Sequence, residues 1–200
     1  MVDILNTLGE WGINTPEETW YPEYLKESFP DKIFFLDKFP LPVKDVDKYD
    51  QVDIFYQEVL DGDISQKTFG VYETKYQNTM IKLWMYNNVF VEIYNDSFHE
   101  KVEKKVDRRY TEVFNSLKKR FGESNGNIIN LREELEVIVQ LGVRDITDTA
   151  YCFTDYKLII VPMFSCFMIY FRDLFNFNIV KDIATSEGLF LRPCIDSLKS

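Results

Sequence analysis

The chain has a single histidine, His99. That scarcity excludes Ser-His-Asp and Cys-His nucleophilic sites and most imidazole metal centres, because those need a base or several ring nitrogens together. Phosphate-cradling loops are missing too: there is no GxGxxG and no GxxxxGK[ST], and the eight glycines are scattered as stops and turns. The three cysteines, Cys152, Cys166 and Cys194, have no CxxC spacing and sit in apolar stretches. They read as buried, reduced thiols of a reducing compartment, which leaves neither a disulfide framework nor a zinc site. No apolar run reaches the roughly 18–20 residues that cross a bilayer, and residues 1–5 lack the basic start of a signal peptide. The expectation is a cytoplasmic protein with no metal and no cofactor.

What is present is apolar and acidic. Two hundred residues that are 46% hydrophobic and 16% aromatic can bury one sizeable core. The net charge of −10 is unevenly placed: residues 1–63 hold 15 Asp and Glu against 5 Lys, and the other 137 residues hold 18 charges of each sign. All of the excess negative charge therefore belongs to the first third, which also carries Trp11, Trp20, Tyr21 and Tyr24. Such a lobe repels nucleic acid and anionic membranes and attracts a basic partner. The basic clusters near 101–109 and 118–120 do not reverse this, since the first is interleaved with Glu100, Glu103 and Asp107 at ion-pairing helical spacings.

Periodicity predicts a single α+β domain with antiparallel β-meanders, one long central helix and shorter helices. Three parts follow one another: an acidic lobe over 1–63, a meander with the long helix over 64–122, and a helix-meander-helix unit over 123–200. Residues 2–9 read as a short helix, and Thr15-Pro16-Glu17-Glu18 is a capped helix start. Residues 32–36 read as a strand, and a helix entered through Asp45, Asp47, Asp50 and Asp53 stops at Gly62. Residues 68–76 alternate as a strand, and 80–86 with 89–94 read as a hairpin across Asn87-Asn88. The long helix is drawn over 98–121 by the stripe Phe98, Val102, Val106, Tyr110, Phe114, Leu117 and Phe121, with Gly122 as its stop. After a polar link at 123–127, residues 131–141 suit a helix or a strand. The segments 150–154, 158–163 and 166–172 form the second meander, 176–187 the last helix, and 189–192 a closing strand.

Carboxylates are the remaining source of chemistry. The Asp45–Asp53 run lacks the glycine and glutamate positions of a calcium hand, and Asp145 with Asp148 suit turn formation better than a hydrolytic pair. The ending Ile169-Tyr170-Phe171-Arg172-Asp173, followed by Leu191-Arg192-Pro193, resembles the closing hairpin and Tyr-Asp-Asp-Arg-Gly … Leu-Arg-Pro tail of small bacterial proteins grouped with toxin–immunity loci. Phe171 stands where that pattern has its first Asp, Arg172 and Asp173 are in reversed order, and Leu174 replaces the Gly. The resemblance implies an immunity-type α+β protein that is not an enzyme. With the charge asymmetry, it makes a basic toxin or effector the expected partner, in a monomer or homodimer. The surface to meet it would be Asp45, Asp47, Tyr49, Asp50, Asp53 and Tyr56, with Glu17, Glu18, Trp20 and Tyr21. A defence or counter-defence protein acting on another target is the alternative, and a carboxylate hydrolase the third.

Overall fold

Strands that are apolar on both faces need cover on both sides. Positions 148–171 are such a run, and they fold as the middle of a seven-stranded antiparallel sheet. The computed structural model describes residues 3–16, 21–41, 43, 45, 47–49, 53–94, 102, 105–163 and 165–194. In chain order these form α1 (Ile4–Glu10), α2 (Tyr21–Ser28), β1 (Ile33–Asp37), α3 (Tyr56–Asp61), α4 (Gln66–Trp84), β2 (Val89–Tyr94), α5 (Thr111–Glu123), β3 (Gly126–Ile129), α6 (Arg132–Val143), β4 (Asp148–Phe153), β5 (Leu158–Met163), β6 (Cys166–Phe171), α7 (Phe177–Ser186) and β7 (Phe190–Pro193). The strand order is β3-β2-β4-β5-β6-β1-β7. The meander read over 150–172 is therefore present, and the α+β class holds. Among the described residues no helix is long and apolar enough to cross a membrane.

Alternate residues of the sheet enter two cores. Leu36, Val91, Tyr151, Ile160, Phe167 and Ile169 face α4, α5, α6 and α7. Ile33, Phe90, Cys152, Ile159, Met168 and Tyr170 face α1 and α2, whose Ile4, Leu8, Tyr21 and Leu25 are buried against them. The helices thus sandwich the sheet, and each strand residue's face follows from the period-two pleat.

Several expected elements differ. Residues 68–76 and 80–86 are not strands: they fall in α4, the longest described helix, and in the turn that ends it at Met85 and Tyr86. Its buried positions Phe69, Tyr72, Tyr76, Met80 and Leu83 recur at helical spacing. Aromatic and β-branched residues mimic a strand there, and two inward positions hold the polar Glu73 and Gln77, which interrupts the apolar stripe. Asn87-Asn88 is not a hairpin turn either. The Asn87 side chain donates to the Leu83 carbonyl at the end of α4 (2.8 Å) and accepts from Tyr156 N (2.8 Å). The expected 98–121 helix is interrupted: Val102 is helical, but Asp107 is extended, a 3-10 turn follows at Arg108–Tyr110, and α5 then runs through Gly122. Phe98 and the other residues at 95–101 lie outside the described residues, yet Val102, Val106, Tyr110, Phe114, Leu117 and Phe121 are all buried as the stripe required. The link at 123–127 opens β3, where Gly126 is needed because a Cβ there would lie 2.2 Å from the Phe90 ring. Residues 131–141 are helical, with Glu134 accepting from the Asn130 and Leu131 amides. Finally, β6 and β7 do not form a closing hairpin, because β1 lies between them.

The break at Asp107 has a cause in side-chain chemistry. Arg144, 4% exposed, follows α6 and holds Glu73 of α4 through two bonds of 2.7 and 2.9 Å. The same guanidinium binds Asp107 at 3.1 Å and the Lys105 carbonyl, and it lies over the Tyr56 ring. Gln140 completes the network, donating to Asp107 (3.0 Å) and Glu73 (3.3 Å) and accepting from the Asp107 amide (3.2 Å). Burial pushes the Glu73 carboxyl up, and the bonds from Arg144 pull it back. Removing the cation alone strands a buried carboxylate. Arg144→Met is expected to cost about 3–5 kcal/mol in urea unfolding, while Arg144→Met with Glu73→Met recovers most of the loss. An equal loss in both variants would show that packing around Arg144, not the ion pair, sets the cost.

Candidate functional site

The acidic segment after β1 is fastened inward at two points. Tyr49 is half-buried, and its hydroxyl meets the Ser165 hydroxyl at 2.7 Å in the turn before β6. Its ring packs on Phe39, with centroids 5.4 Å apart. Asp53, whose side chain is 0% exposed, is paired through Oδ1 with Lys38 Nζ and accepts from Ile54 N at 2.9 Å. Its Oδ2 is buried with no hydrogen-bond partner among the described residues. Tyr56 is half-buried in the helical core, against Phe69 at 5.2 Å and beneath Arg144.

These anchors decide which carboxylates reach water. Asp45, with Lys48 beside it at 3.2 Å, and Asp47 are exposed, as are Asp61 and Asp63 around the Gly62 stop of α3. Asp53 is corrected from a surface contact to a buried ion-pair partner, since its desolvated charge is already matched by Lys38. Tyr21 is corrected likewise. It is 3% exposed and belongs to the core under α1 and α2, on the opposite side of the sheet from Tyr56. Glu17, Glu18, Trp20 and Asp50 lie outside the described residues. The expected surface therefore does not come together whole; its described, outward part is Asp45 and Asp47.

Beneath the anchors lies a polar junction that sequence reasoning missed. Asp37, the last residue of β1, is fully buried and takes two bonds from Arg192 of β7, at 2.9 and 2.7 Å. Tyr72 and Tyr76 of α4 both donate to the Ser165 carbonyl, the second at 3.0 Å. Lys38 lies 5.1 Å from the centroids of both the Phe39 and Tyr72 rings. The only sequence signal for this junction was the Asp37-Lys38 pair at a strand end, and its partners are remote in the chain.

Burial sets the protonation state of the groups around this junction. Burial pushes the Cys166 thiol up to about 12, with Asp37 adding to the rise, so it is not a thiolate at neutral pH. Cys152 is held at about 12 by burial and by Glu92. The phenols of Tyr49 and Tyr72 are raised by burial and stay protonated. Among the described residues no three His, Cys, Asp or Glu side chains are grouped to hold a metal ion.

Tyr21 leads to a buried carboxylate on the other face. Its hydroxyl is 2.8 Å from that of Tyr94, which donates to Glu92, and Glu92 also accepts from Ile4 N at the start of α1 (2.6 Å). Burial raises the Glu92 carboxyl above its ordinary 4.5, against the lowering effect of these bonds. The native state therefore holds the Glu92 proton more tightly than the unfolded chain does. Its contribution to stability is full below the unfolded value and is lost as pH rises through the native one. Glu92→Gln cannot ionise. Its stability relative to the parent is expected to improve from pH 4 to pH 7 in urea unfolding, and a pH-independent difference would contradict the shift.

No protein-family model, curated protein or solved structure matches this chain.

Proposed function

We propose that this chain is an immunity- or inhibitor-type binding protein that neutralises a basic toxin or effector, and that it catalyses no reaction. The observation that supports the reading most directly is the division of labour in the segment after β1. Tyr49 and Asp53 fasten it to the sheet, leaving Asp45, Asp47, Asp61 and Asp63 turned to water. Inhibition of a basic cleft calls for carboxylates held on a fixed backbone, because preorganised charge steers encounter and suppresses wrong partners. The 15-to-5 excess of acidic residues over lysines in residues 1–63 supplies the sign of the field. The resemblance of the ending to immunity-type proteins points to the same class, and Arg192 within it serves here to clamp Asp37.

The test is capture by the tagged full chain from an extract of its native cell, at low and high salt. The expected catch is a basic protein that is toxic when expressed alone and harmless when co-expressed with this chain. Asp45→Lys with Asp47→Lys is expected to weaken that complex about tenfold, mainly through a slower, less salt-sensitive association. Retention of no such protein, or an affinity unmoved by the reversal, would defeat the proposal.

A further inference from the structure

A groove of the opposite sign runs along the first turns of α4. It encloses about 630 Å³, within the range of small-molecule sites, and three lysines line it: Lys38, Lys67 and Lys75. Between them the floor is apolar, made by Ile54, Val71 and Tyr72. The helix explains the arrangement. Lys67, Val71 and Lys75 fall in one row at steps of four, about 12 Å from end to end at 1.5 Å per residue. Val71 is 63% exposed, a large apolar side chain left uncovered between two cations.

The charges here are not absorbed by the protein in the usual way. Lys38 is paired with the buried Asp53, but Lys67 and Lys75 have no ion-pair partner among the described residues. Among the described residues no acidic side chain lines the groove, although the chain carries 33 of them. The positive end of the 19-residue α4, capped by Ser65, adds to the potential. A lysine row on an acidic protein normally pairs with neighbouring carboxylates on its own helix face. This one flanks an open apolar floor instead.

We propose that the groove binds a small amphipathic anion, with a carboxylate or phosphate monoester head among the lysines and an aliphatic body of about eight carbons on Val71, Ile54 and Tyr72. The size follows from the row: eight carbons extend to about 9 Å, which fits within the span of about 12 Å from Lys67 to Lys75. Both heads satisfy the same cations, and an uncharged analogue would leave them unmatched. The site does not depend on the acidic face of the proposed function, and it would repel the basic partner expected there.

The experiment is isothermal titration of the full chain with octanoate, octyl phosphate, octanol and inorganic phosphate. One saturable site for octanoate or octyl phosphate is expected, with Kd about 1 mM or tighter, and binding of octanol and of inorganic phosphate at least about tenfold weaker. The tighter of the two anions identifies the head. Lys67→Glu with Lys75→Glu is expected to weaken binding about tenfold or more, and Lys119→Glu, on exposed α5, to leave it unchanged. If the double variant melts early, the exposed Lys67→Glu alone carries the test with a smaller loss. Absence of saturable binding, octanol as tight as octanoate, or indifference to Lys67→Glu would overturn the proposal. So would oligoglutamate binding in place of octanoate, which would make the groove a protein-docking surface.

Discussion

One buried guanidinium holds the helical layer together. Arg144 reaches α4 through Glu73, the segment before α5 through Asp107 and Lys105, and α3 through the Tyr56 ring. A charge taken out of water must have all its donors matched, so each of those elements is confined to the one geometry that satisfies it. This requirement breaks the helix that the stripe from Val102 to Phe121 would otherwise favour. An apolar residue in place of Arg144 could pack as well, but it would not dictate where α3, α4 and α6 stand relative to one another. The ion pair contributes register more than net stability.

Charge of both signs is sorted by the same scaffold. The carboxylates after β1 are turned out because Tyr49 and Asp53 are turned in, and Lys38 serves both that anchorage and the edge of the α4 groove. Two functions of opposite polarity, a proposed basic partner on one surface and a small anion on another, can thus share one junction without neutralising each other. The junction itself is built from Asp37, Arg192, Ser165 and the tyrosines of α4, which pair with one another.

The legibility of these features in the sequence followed how local their causes are. The meander at 148–171, α1, α7 and the Gly62 stop of α3 were readable because each is set by its own period or its own stop, such as Gly62 or Gly188 in the left-handed region; the start of α3 was not, since it lies at Tyr56 after an extended Phe55 and not in the Asp45–Asp53 run. Helix α4 was not, because Glu73 and Gln77 occupy inward positions and are reconciled with burial only by Arg144, Gln140 and the Glu136 carbonyl, some 60–70 residues away. Strand β3 was hidden by Gly126 and Asn127, poor strand formers that are admitted because the Phe90 ring lies over the glycine. The candidate surface was legible in sign and only partly in membership. Composition located the acidic third, but it could not tell that Asp53 would find Lys38, or that Tyr21 would face a different core from Tyr56. The lysine row went unread for the same reason as α4: taken as a strand, Lys67, Val71 and Lys75 share a face but gain no flanking wall.

The position of β1 between β6 and β7 orders events in time. A ribosome releases Ile33–Asp37 long before Cys166–Phe171 and Phe190–Pro193 exist, so β1 waits with both edges bare while more than a hundred residues are made. The Asp37–Arg192 clamp and the Tyr49–Ser165 contact must wait with it. Tyr49 thus gains its Ser165 partner only when the turn before β6 has been made, and a polypeptide ended before that turn would lack this anchor.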